Sequence, residues 1–112
     1  MVSILNSIKK LLGITEEYDH FDVDIIMHIN SAFMVLTQLG VGPAGGFTIE
    51  DDLSVWSDFL PVNDPKFEAV KTYIYLKVRI VFDPPTSAAV LSAMERQITE
   101  LEWRLNHSAE YM

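Results

Sequence analysis

The stretch DPKFEAVKTYIYLKVRIVFDPP, residues 64–85, decides the fold. Asp64 can cap a helix start, and Pro65 suits the first helical position, where its missing N–H is no loss. From there to about Phe82 the residues are apolar on most sides, broken only by two thin polar stripes, Lys66 with Lys77 and Glu68 with Thr72 and Arg79. A helix of that kind belongs at the centre of a bundle. Tyr73 and Tyr75 flank the stripes, so their rings are expected inside and their hydroxyls at the edge. Asp83, Pro84 and Pro85 end the helix, because neither proline continues the hydrogen-bond ladder.

Beyond the prolines, a helix over about 87–107 places Leu91, Met94, Ile98, Leu101 and Leu105 three and four residues apart, in one continuous seam. Joined by so short a turn, the seam predicts an antiparallel hairpin with the preceding helix. Upstream, residues 2–12 carry Ile4, Leu5, Ile8, Leu11 and Leu12 at helical spacing, with Gly13 as the stop. Residues 22–39 form a second candidate, capped by Asp22 and closed by Gly40. Its polar residues Asp24, His28, Ser31 and Gln38 share one stripe, which predicts burial around most of its circumference. Thr48 and Asp51 resemble a capping box, opening a helix over 50–60 that would bury Leu53, Trp56 and Leu60 and end at Pro61. No strand pattern of convincing length appears. The prediction is an all-α fold, a small bundle of about five helices with a long antiparallel C-terminal pair, in one domain over 1–112.

Composition agrees and narrows the function. A chain of 112 residues with 49% hydrophobic content can build one core. Without cysteine there is no disulfide framework, thiolate zinc site or cysteine nucleophile. The net charge of −8 is unevenly placed: between Lys10 and Lys66 lie ten carboxylates and no cation, which predicts an acidic face. Such a chain gains little from phosphates or anionic lipid, so sequence-specific nucleic-acid binding and membrane binding are not expected. No apolar run approaches the roughly 20 residues of a membrane span. The N-terminus has the wrong order for a signal peptide, and a soluble, cytoplasmic protein is the expectation.

Catalytic and ligand motifs do not hold. Gly40-Val41-Gly42-Pro43-Ala44-Gly45 satisfies G-x-G-x-x-G literally, yet a helix precedes it and Pro43 removes an N–H that a pyrophosphate would need. It reads as a flexible loop that could order against a partner. Asp22-Val23-Asp24 lacks the remaining oxygen ligands and turn glycine of a calcium loop. His20, His28 and His107 contain no i, i+4 pair, and no serine sits in a nucleophile elbow. No catalytic, cofactor or metal residue is assigned, and an enzyme is not expected. Trp56 shares a stripe with Leu53 and Leu60 and reads as core, whereas Trp103 lies off the seam of its helix and reads as a candidate anchor for a second subunit.

Several stretches are similar to the head-tail connector proteins of tailed bacteriophages and prophages. They are Glu68-Ala69-Val70-Lys71-Thr72-Tyr73-Ile74-Tyr75-Leu76-Lys77-Val78-Arg79, Phe82-Asp83-Pro84-Pro85-Thr86-Ser87 and Glu100-Leu101-Glu102-Trp103-Arg104-Leu105, with Ile26-Met27-His28-Ile29-Asn30-Ser31-Ala32-Phe33 and Gln38-Leu39-Gly40-Val41-Gly42 upstream. The resemblance implies a structural virion adaptor, assembled in the host bacterial cytoplasm. It would bind beneath the portal protein, self-associate into a ring and offer a surface to a further connector or tail component, while genome DNA passes through the channel. A ring needs two different patches on each subunit. The candidates are the 40–47 loop with Gly42 and Phe47 on one side, and Trp103 with Tyr111 and Met112 on another. The competing reading is a small acidic regulatory or antitoxin-like protein that binds a basic protein partner.

Overall fold

The computed structural model describes residues 2–110, with side chains through residue 107. Among them are five helices and no strand: α1 (Ile4–Leu11), α2 (Asp22–Gln38), α3 (Trp56–Phe59), α4 (Phe67–Phe82) and α5 (Ala88–Glu110). The chain forms a plate, 39 × 36 × 21 Å.

The helix from the 64–85 stretch is central, as its apolar circumference requires. It buries Val70, Tyr73, Ile74, Leu76 and Val78, lies chiefly against α2 and α5, and also touches α1. Its start lies two residues later than expected. Asp64 Oδ1 accepts the Lys66 N–H at 2.8 Å, so Asp64-Pro65-Lys66 forms a tight turn and the helix begins after it. That backbone hydrogen bond holds the Asp64 carboxyl below its ordinary range. At the other end Arg79 reaches the Asp83 carbonyl at 3.2 Å and the Tyr75 hydroxyl at 3.0 Å, satisfying a carbonyl that the prolines leave without a helical donor. The Tyr75 hydroxyl, the nearer influence, raises the Arg79 guanidinium above its ordinary value.

α1 is capped by Ser3, whose Oγ accepts the Asn6 N–H at 3.2 Å. It is stitched to the short α3 by an antiparallel bridge between Ser3 and Val55, by Ile4 N donating to the Ser54 carbonyl, and by the Trp56 indole N–H donating to Ser7 Oγ at 3.0 Å. Those long-range bonds explain why the helix expected over 50–60 shrinks to four residues. Asp51 accepts the Leu53 N–H in a local turn, leaving Leu53 79% exposed rather than buried, and the real cap is Asp58 Oδ2 on the Val55 N–H at 3.0 Å. Thr48 does not open a helix. Trp56 and Leu60 are buried as expected, and Phe59 joins them.

α2 also corrects the expectation, because only one of its sides is covered. Ile25, Ile29, Ala32, Phe33 and Leu36 point inward, but Val23, Met27 and Met34 remain 80%, 57% and 59% exposed. Asp22 is not the cap: it is the first helical residue, preceded by Phe21 with no side-chain cap bond. Its carboxylate turns to α1, where Lys9, 1% exposed, places Nζ 2.9 Å from Asp22 Oδ1 and 3.0 Å from the Glu16 carbonyl. A lysine so enclosed requires such partners, and these pin the 13–21 segment over the core.

The 40–47 loop is tied to the core near its two ends, at the buried Val41 and at Phe47. Gly40, Gly42 and Gly46 adopt φ values of +84°, +86° and +92°, which favour glycine. Phe33, Phe47 and Phe59 form a three-ring cluster with centroids 4.6–5.4 Å apart. Just beyond the loop, Asn30 clamps Ile49, accepting its N–H at 2.8 Å and donating to its carbonyl at 2.9 Å. The side-chain amide replaces one rung of a sheet ladder, so the buried Ile49 backbone needs no strand partner.

α5 joins the core along one edge. Leu105 is fully buried, Leu91, Met94, Ile98, Leu101, Glu102 and Asn106 are partly covered, and the other residues of 88–107 face solvent. Its firmest polar link is the Tyr73 hydroxyl donating to Glu102 Oε2 at 2.7 Å. Burial, then the neighbouring carboxylate, pushes the Tyr73 phenol far above its ordinary value, so it stays a donor.

Candidate functional site

Two surfaces combine exposed apolar groups with shape. The first runs along α2. Val23, Ile26, Met27 and Met34 line its N-terminal part, and Met34, Thr37, Gln38 and Phe47 with Gly45, Gly46 and Thr48 continue it into a groove of about 480 Å³ between the helix and the loop. Asn30, which clamps Ile49, borders both parts. The second surface lies on α5, where Trp103 is 66% exposed and stacks on His107, centroids 5.1 Å apart and rings 8° from parallel. Leu39, Thr99 and Asn106 border it.

The residues named from sequence divide accordingly. Trp103 is exposed and bears an aromatic partner, as an anchor requires. Phe47 is half-buried and contributes to both the aromatic cluster and the groove wall. Gly42 is a packing residue: a Cβ there would run into the Phe59 ring, so the position serves the close approach of loop and α3. Tyr111 and Met112 lie outside the described residues. The stripe of Val23, Met27 and Met34 was missed. The apolar excess of 22–39 shows that this helix wants cover on several sides, but not which side goes without it.

The electrostatics are those of a polyanion. Of the ten carboxylates between Lys10 and Lys66, Asp22 and Asp64 pair with Lys9 and Lys66, and the other eight are exposed. Among the described residues, no three His, Asp or Glu side chains converge as a metal site, and no helix is long and apolar enough to cross a membrane.

A thin, acidic helical plate with exposed apolar groups on two of its helices offers surfaces for assembly. The sequence profile of the phage connector protein family matches residues 4–112, and the chain belongs to that family. It is therefore a phage head-tail connector component, in a structural family whose members are parts of the virion. No curated protein and no solved structure matches the chain.

Proposed function

We propose that this chain, as one domain, is the adaptor ring of the connector. Copies close into a ring beneath the portal once DNA is packaged, in the host cytoplasm, and present their far side to the next connector or tail component. The observation that carries this reading is the family match over almost the entire chain. Two features support it. The subunit is 21 Å thin and carries unlike apolar surfaces on α2 and α5, and a ring closed by rotation uses two different patches per subunit. The eight exposed carboxylates would leave exiting DNA unbound, because phosphate contacts need cations.

The test is negative-stain electron microscopy of the protein mixed with the portal encoded beside it, each alone as a control. A ring of added density at the portal's narrow end is expected. Unchanged portals in the presence of excess folded protein would refute the reading, and a one-to-one complex with a basic partner would favour the acidic-regulator alternative.

A further inference from the structure

We propose that the contact between neighbouring copies is head-to-tail, with Trp103 of one copy seated against the Met27–Met34 strip of α2 on the next. The proposal rests on the ring reading above and names the two faces that would meet.

The first argument is direction. With 3.6 residues per turn, Leu39, which borders Trp103, sits roughly 120–140° around α2 from Met27 and Met34. The strip and the tryptophan therefore look different ways, and neither can cover the other within one chain. Unlike patches that face apart join one copy to the next, leaving each new copy with a free patch of either kind until the chain closes on itself.

The second argument is charge. Copies of a chain with net charge −8 repel one another over most of their surface, so self-association must use faces without unpaired charge. The α2 strip is such a face: Val23, Ile26, Met27, Asn30, Ser31 and Met34 include no ionisable group. Around Trp103, Glu100 is paired with Arg104 at 2.8 Å, Glu102 accepts the Tyr73 hydroxyl, and Glu95 and Arg96 contribute one charge of each sign at the far edge. The α2 carboxylate beside the strip, Asp24, is exposed at the rim one turn before Met27, and the apolar centre of the strip offers a basic protein nothing to pair with, which argues for a second copy as occupant.

The third is chemistry. An indole stacked on an imidazole is a flat, stiffened wedge, and flexible thioethers adapt to aromatic faces with favourable sulfur contacts. Large exposed aromatics of this kind carry a disproportionate share of interface energy.

The test uses the full chain, its Met34→Glu and Trp103→Glu variants, and sedimentation velocity with native mass spectrometry up to the highest soluble concentration. Both positions are more than half exposed, so the variants should keep the wild-type helical circular dichroism. Wild type is expected to form oligomers larger than dimers, and each variant alone should associate at least about tenfold more weakly. The decisive sample is the equimolar mixture. Trp103→Glu keeps an intact strip and Met34→Glu an intact tryptophan, so the mixture should yield a one-to-one heterodimer that grows no further. Wild-type-like assembly by either variant, or a mixture that stays monomeric while wild type assembles, overturns the head-to-tail contact and leaves the ring reading standing. A wild type that stays monomeric throughout, alone and with the portal, refutes the ring reading and this contact with it.

Discussion

The ion pair of Lys9 and Asp22 should show an asymmetry that follows from who can reach water. Lys9 is 1% exposed and its ammonium touches Asp22 Oδ1 and the Glu16 carbonyl, whereas the Asp22 side chain is 25% exposed. Asp22→Asn leaves a full positive charge where water cannot compensate it, near the upper part of the about 3–5 kcal/mol typical of breaking a buried pair. Lys9→Met keeps most of the buried stem and leaves a carboxylate whose Oδ1 is buried but whose side chain is 25% exposed, and hydration through that exposed part limits the cost to about 1–2 kcal/mol. The gap of about 2 kcal/mol corresponds to about thirtyfold in the folded-to-unfolded ratio, and to about 8–16 °C in melting temperature for a domain of this size. The double variant removes both charges and should fall within about 1 kcal/mol of Lys9→Met alone. Urea unfolding of the four proteins, followed by helical circular dichroism, measures all of these at once. The reasoning is refuted if Asp22→Asn costs no more than Lys9→Met, or if the two costs add to within about 0.5 kcal/mol.

Three further outcomes are expected. Gly42→Ala combines a φ of +86° with a Cβ forced into the Phe59 ring, and should cost about 2–4 kcal/mol in urea unfolding; a neutral result would mean that α3 yields freely. Asn30→Leu leaves the N–H and carbonyl of Ile49 unpaired at a residue 2% exposed, so a loss of about 2 kcal/mol should accompany faster proteolysis between 40 and 50. Tyr73 bears on pH: because its folded value lies above the ordinary 10.0, the unfolded chain releases a proton that the native chain keeps. Stability should therefore be complete below pH 10 and fall as pH rises beyond it, and Tyr73→Phe, itself costing about 1–2 kcal/mol, should reduce that alkaline slope.

Legibility differed from element to element. The bounds of α1, α2 and α4 lie within about two residues of the expected ranges that Gly13, Gly40 and the prolines at 84 and 85 close, because a helix end is an orphaned hydrogen-bond group met by a residue close by in sequence. Helix α3 was over-read because Thr48 and Asp51 suit a local turn as well as a capping box. The choice between them was made by α1, whose Ser3, Ile4 and Ser7 bond to Ser54, Val55 and Trp56 about 50 residues away. The clamp just beyond the glycine loop was illegible for the same reason: Asn30 is 19 residues from Ile49. Of the candidate site, Trp103 could be read from its place off the seam. Val23, Met27 and Met34 could not, since apolar periodicity says that a helix side wants cover and not whether this chain has an element to supply it.

Chain-local chemistry was enough for the all-α class, the central place of the 67–82 helix, the acidic balance and the family likeness. Each depends on neighbours a few residues apart or on simple counts. Tertiary structure alone decided that Lys9 is enclosed with Asp22, that Gly42 serves Phe59, and that α2 keeps one apolar side bare. Burial belongs to pairs of surfaces, and which surfaces meet is set when helices distant in sequence compete for one small core.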